Sequence, residues 1–165
     1  AAGGSLPASK PSVLGRVMLE IDDKEQKKSN IVIHKMPESV AEEEEIRKNE
    51  DRLSVIACLN EVLPETERIT ENNIVHMYRV GRPSGEKVRP CVIRLNSQRT
   101  RNLALSNAAK VSNKNIRIRQ DLTKIERENE VAFFKNLDEL KKTGNGVDYK
   151  VTGPPGYRKL RKVKA

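Results

Sequence analysis

The 165 residues include no tryptophan, three tyrosines and two phenylalanines, so aromatics make up only 3% of the chain. Hydrophobic residues reach 36% and charged residues 33%, a supply of apolar side chains that suits one compact core rather than several. Cysteine is equally scarce. Cys58 and Cys91 stand far apart without a CxxC pair, and His34 and His76 are the only histidines, which excludes a disulfide framework and a zinc module. No apolar run approaches the ~18 residues of a membrane span. The stretch Ala1–Lys10 has neither a basic start nor an apolar centre, so no leader is expected and the chain reads as soluble and intracellular.

What the sequence has in excess is positive charge, unevenly spread. The formal net charge is +9, and residues 71–120 alone hold eleven basic and two acidic groups. Residues 31–70 are the reverse, with five basic and ten acidic groups. A basic block of this size favours an anionic polymer as partner, nucleic acid ahead of a membrane surface.

The order of elements follows from periodicity and punctuation. Residues 1–12 are small, Gly- and Pro-containing and featureless, like a linker or a cloning remnant. In Val13–Lys28, Leu14, Val17, Met18 and Ile21 recur at helical spacing, which predicts a short helix, either docked on the domain or the stump of a coiled coil. Ile31–Met36 predicts a strand ended by Pro37. Ser39-Val-Ala-Glu42 has the form of a capping box, opening a helix that runs to Pro64 with Ile46, Leu53, Ile56, Leu59 and Leu63 on its inner face. Ile74–Val80 and Cys91–Leu95 predict an antiparallel pair joined by the loop Gly81–Lys87, Asn96 or Ser97 caps a second helix, and Ile116–Arg119 alternates as a fourth strand. The succession β-α-β-β-α-β predicts an α+β, ferredoxin-like sandwich over residues 30–121, preceded by the helix 13–29. Residues 122–165 predict a C-terminal helix opened by a second capping box, Thr123-Lys-Ile-Glu126, and closed at Gly144-Asn-Gly146. A small basic β-hairpin follows, Val147–Val151 with Tyr157–Val163.

No catalytic constellation emerges. Gly81–Lys87 departs from the GxxxxGK[ST] spacing of a phosphate loop, and neither histidine has a ligand or carboxylate neighbour at metal spacing. The glutamates Glu42–Glu45 read as a solvated helix start, and the two cysteines as packing thiols. No enzyme activity, metal or cofactor is expected.

The sheet carries the positive signal. Alternation sends Ile31, Ile33, Tyr78, Val80, Ile93, Leu95, Ile116 and Ile118 inward and Val32, Met77 and Val92 outward. It gathers His34, Arg79, Arg94, Arg117 and Arg119 on the face that two helices cannot cover, opposite the acidic helix and out of its reach. Arg82 in the loop, Arg89, Arg99 and Arg101 beside the sheet, and Arg158, Lys159 and Arg161 in the hairpin extend this basic set.

The strings NIVIHKMPES (Asn30–Ser39), YRVGR (Tyr78–Arg82), RPCVIRLNS (Arg89–Ser97) and IRIRQDLTKIER (Ile116–Arg127) resemble the RNA-recognition-motif domain of the first-open-reading-frame proteins of LINE-type retrotransposons and their invertebrate relatives. The resemblance implies sequence-tolerant binding of single-stranded RNA, or of single-stranded DNA, in a retrotransposon ribonucleoprotein with nucleic-acid chaperone activity. It implies a cytoplasmic or nuclear particle, and a homo-oligomer built on an upstream coiled coil that is absent or reduced to 13–28 here. Residues 123–142 and the hairpin look like the small C-terminal domain of that family. Val32, Cys91, Val92 and Ile93 stand where an RNA-recognition motif places its stacking aromatics, so no aromatic platform is expected and arginine contacts must carry binding. The alternative is a protein-interaction module that recruits a basic peptide through the acidic first helix.

Overall fold

The computed structural model describes residues 12–83, 85–144 and 148–163. These form two compact units: Lys27–Leu122, and the described residues up to Gln26 together with those from Thr123 onward.

The first of these units is an α+β fold. Its strands are β1 (Asn30–His34), β2 (Ile74–Arg79), β3 (Cys91–Leu95) and β4 (Arg117–Gln120), hydrogen-bonded in the order β2-β3-β1-β4 with every neighbouring pair antiparallel. The helices of this unit run Glu44–Val62 and Gln98–Ser106. β1, β2 and β3 are rich in Ile and Val, β4 contributes the single buried Ile118 between arginines, and Pro37, Pro64 and Pro90 stand outside the strands and helices they border. Ile31, Ile33, Ile93, Leu95 and Ile118 on one sheet face meet Val55, Cys58, Leu59, Val62 and Ala104 from the two helices. Burying such side chains contributes roughly 1.5–3 kcal/mol each, which makes this layer the main source of the unit's stability. Both cysteines belong to it, and burial pushes each thiol up to about 11.

The other unit holds the helices Val13–Lys27 and Lys124–Lys142 and a hairpin of β5 (Tyr149–Thr152) and β6 (Lys159–Lys162). With the two helices above, in chain order, these are α1 (Val13–Lys27), α2 (Glu44–Val62), α3 (Gln98–Ser106) and α4 (Lys124–Lys142). The capping box of α4 forms as its sequence predicts: the Glu126 amide donates to Thr123 Oγ1 (3.1 Å) and the Thr123 amide to Glu126 Oε1 (3.0 Å). The Thr123 hydroxyl in turn donates to Glu20 on α1 (2.6 Å), and Lys24 sits 4.7 Å over the Tyr157 ring. Gly156, at φ +84°, lies so close to Glu126 that a Cβ there would meet its side chain at 2.8 Å. Its amide donates to Glu130, which also holds Arg158 (3.0 Å). The expected helix end at residues 145–146 and hairpin start at Val147 lie outside the described residues.

Three details differ from the sequence reading. Ser39 does not cap α2. Its hydroxyl donates to Glu50 and accepts from the Ala41 amide, while Arg47 captures the Ala41 and Glu42 carbonyls, so the chain stays out of the helix until Glu44. Of the expected inner face of α2, Leu59 and Leu63 are buried and Ile56 packs against the core, while Ile46 and Leu53 are exposed and Val55, Cys58 and Val62 complete the face, because the helix also carries apolar residues on its outer side. β1 ends at His34 rather than Met36, since Lys35 adopts φ 62° and turns the chain.

Candidate nucleic-acid interface

Strand register fixes what the second sheet face presents, because side chains directly opposite each other across a ladder share a face. The cross-strand partners give one row of His76, Arg94 and Asn30, a second of Tyr78, Val92, Val32 and Arg119, and a third containing His34 and Arg117. In the first row Arg94 donates to Asn30 Oδ1 (3.3 Å), and Asn30 donates to the Asp121 carboxylate (2.9 Å). Arg94, Arg117 and Arg119 are exposed, as is His76, and Tyr78 is 48% exposed. Val32 and Val92 do face this side as expected, yet they are buried at the middle of their row, so the reachable part of the face is its polar rim and the Tyr78 edge. His34 is half-buried, and burial, then the charge of Arg119, holds its imidazole below the usual 6.5.

The expected facing of β2 is reversed. Met77 packs against the core and Arg79 turns inward, while Tyr78 and Val80 are exposed. A β-bulge between Ile74 and His76 is the cause: one extra residue shifts the alternation, and every following side chain changes face. Arg79 therefore leaves the basic face. Its Nε and Nη2 donate to the two oxygens of Asp51 on α2 (3.0 and 3.2 Å), Nη1 to the Met36 and Arg89 carbonyls (2.9 and 2.8 Å), and Nη2 also to the Pro37 carbonyl (3.2 Å). The acidic helix does reach one of the predicted arginines, and it does so through Asp51 rather than Glu42–Glu45.

Other members of the expected set are also tied down. Arg101 is buried, donating to the Asn30 carbonyl and to Asn102 (3.2 and 2.8 Å), so it belongs to the helix-covered side. Arg89 grips Glu38 (2.7 Å) and the Gly81 carbonyl (3.0 Å), holding that carboxyl below its usual range. Arg99 remains largely exposed while pairing with Glu67 (2.9 Å), and Arg82 is exposed in its loop. In the other unit Arg158 is spent on Glu130 and the Gly153 carbonyl. Lys159 and Arg161 are exposed, and the hairpin register adds Lys150 opposite Arg161, giving this small sheet a basic face of its own.

Two residues that sequence reasoning set aside come forward. Tyr78 and His76, two apart on β2, have ring centroids 5.3 Å apart at 37°, an aromatic pair on the face where none was expected. The bulge that displaces Arg79 is what brings them there, and one extra residue in a strand leaves no mark on composition or alternation. A scan against protein-family models finds no match for this chain, and a comparison with curated proteins finds none either. Among the described residues, no group of three or more His, Cys, Asp and Glu is placed to hold a metal ion, and no helix is long and apolar enough to cross a membrane.

Proposed function

We propose that the Lys27–Leu122 unit is a ferredoxin-like module of the RNA-recognition-motif type that binds single-stranded RNA across the sheet face opposite its helices. The observation that carries this reading is the set of Arg94, Arg117 and Arg119, exposed and in register on one face with Asp121 as the neighbouring carboxylate. Arg117 and Arg119 stand two residues apart on β4 and Arg94 on β3, two strand spacings or about 10 Å away, a spread that a flexible phosphate chain can follow, and their planar forks suit phosphate oxygens and base faces alike. Nothing in this arrangement reads a base sequence, so binding is tolerant of sequence, as a coat or chaperone of a retrotransposon-like ribonucleoprotein requires.

Fluorescence anisotropy with a labelled single-stranded RNA, over a range of salt, tests the proposal. Three neutralised phosphates predict a log–log slope near ~−2, at about −0.7 per contact. Arg94→Ala and Arg117→Ala each weaken binding about tenfold or more, in line with charge-assisted contacts of roughly 1.5–3 kcal/mol, and each flattens the slope. Competition with single-stranded DNA and duplex ranks the polymers. Folded variants that bind single-stranded RNA as tightly as the parent overturn the reading.

A further inference from the structure

We propose that Tyr78, braced by His76, is a base-stacking anchor on β2: it takes an unpaired nucleobase, purine in preference to pyrimidine, while the neighbouring arginines hold the phosphates. The inference rests on the RNA-binding reading and assigns it a contact of a different physical kind, one that is apolar and independent of salt.

The argument begins from exposure. A tyrosine in a strand is expected to cover its ring against neighbours, yet Tyr78 leaves 48% of its surface open although it stands opposite Val92 in the ladder. An uncovered ring carries a cost in water that stacking a base would recover. His76 lies on the same face two residues earlier, at 5.3 Å and a tilt of 37°. A ring leaning against Tyr78 restricts its rotamers, which lowers the entropy lost when a ligand settles on it.

Its surroundings supply the rest. β2 is an edge of the sheet, with β3 as its one partner strand. Along this edge runs a groove lined by His76 and Tyr78, by the apolar Val40 and Val88, and by side chains of both charges, Lys48 and Lys87 together with Glu44 and Glu86. A base on Tyr78 would thus lie at the junction of a concave, partly apolar groove and the exposed arginine face. On the face side, Arg94 stands directly across the ladder from His76, one strand away from the tyrosine, at the spacing of a phosphate attached to the stacked nucleotide. A planar, uncharged ring joined to an anion meets both halves of this arrangement. Stacking on one tyrosine distinguishes bases only by the size of their π-face, which gives a mild preference for adenine over uracil and leaves binding otherwise tolerant of sequence.

The test uses the whole chain and three labelled ten-nucleotide probes: oligo(A) RNA, oligo(U) RNA and a backbone of abasic sites. The parent binds all three with the same salt slope and binds oligo(A) best. Tyr78→Ala loses about tenfold on oligo(A), less on oligo(U) and nothing on the abasic probe, with its salt slope unchanged. Tyr78→Phe keeps parental affinity, and Tyr78→Leu, which retains apolar bulk without a π-face, behaves as the Ala variant does. Circular dichroism and melting confirm that each variant is folded. Equal binding of oligo(A) by the parent, Tyr78→Ala and Tyr78→Leu, with salt dependence intact, overturns the stacking anchor and spares the electrostatic reading. A parent that binds none of the probes overturns both.

Discussion

Removing Arg79 tests whether this arginine is part of the binding face or part of the fold. Its side chain is 7% exposed and that of its partner Asp51 13%. The guanidinium offers five N–H donors, and five contacts are made: two to Asp51 and one each to the Met36, Pro37 and Arg89 carbonyls. Arg79→Ala therefore strands a nearly buried carboxylate whose remaining contact is the Ser39 amide (3.1 Å), and withdraws a donor from three carbonyls. Breaking a buried pair from one side costs about 3–5 kcal/mol. For a unit of roughly a hundred residues this corresponds to a fall in Tm of about 15–30 °C. The contrast is Arg117→Ala, an exposed change that should stay within about half a kcal/mol.

A double-mutant cycle with Asp51→Ala separates the pair from its surroundings. Each single change leaves an unpaired group behind, so the double variant should be more stable than the sum of the two implies, with a coupling of at least ~1 kcal/mol. Chemical denaturation monitored by circular dichroism gives all four values. An Arg79→Ala protein that melts within about 3 °C of the parent, or a cycle without coupling, refutes the structural role and returns Arg79 to the basic face.

Further outcomes rest on His34, Glu38 and Lys35. His34 has its pKa depressed in the fold, so below about 6.5 the unfolded chain binds the more protons and stability must fall as pH drops through that window; Glu38, also depressed, adds a second loss as pH falls below about 4.5. Protonated His34 adds a cation beside Arg119, so RNA affinity should rise from pH 7.5 to 6 in the parent and stay flat in His34→Gln; the opposite trend in either titration refutes the placement. Lys35 at φ 62° occupies a conformation that glycine adopts freely, so Lys35→Gly should leave stability unchanged or raise it by up to about 1 kcal/mol, whereas Lys35→Val should lower it; a destabilised glycine variant would show that the Lys35 side chain matters more than its backbone.

The succession of elements was legible because its signals are local. Ile31, Ile33, Ile93 and Ile118 alternate with side chains that face the other way, Ser97 caps α3, and Thr123 with Glu126 opens α4, all within windows of a few residues. What failed to show were features set by distant partners. Ser39 has the form of a cap, but Glu50 on the helix claims its hydroxyl, and Arg47 takes the carbonyls that the first turn would have used. The facing of β2 turns on one extra residue between Ile74 and His76, and the reversal makes Met77 a core residue and Tyr78 a surface one.

The arginines illustrate the same limit and explain the shape of the site that remains. In the sequence they are equivalent; in the fold, parity and proximity sort them. Arg79 and Arg101, on the helix side of the sheet, are surrounded by carbonyls and a carboxylate that only a multi-donor cation can satisfy together, and they are consumed there. Arg89 and Arg158 lie beside loops whose carbonyls and nearby glutamates bind them in the same manner. Arg94, Arg117 and Arg119 fall on the other parity, beside two buried valines, and stay exposed there, Arg94 while donating to Asn30. Exposed charges of this kind contribute little to stability. Their mutual repulsion is a small cost that an anionic chain removes, and the same strand order that isolates them from the helices sets Tyr78 and His76 at the edge of that face. On the proposed reading, a basic rim and an aromatic edge on one sheet surface match the two contacts that a single strand offers, its phosphates and its bases.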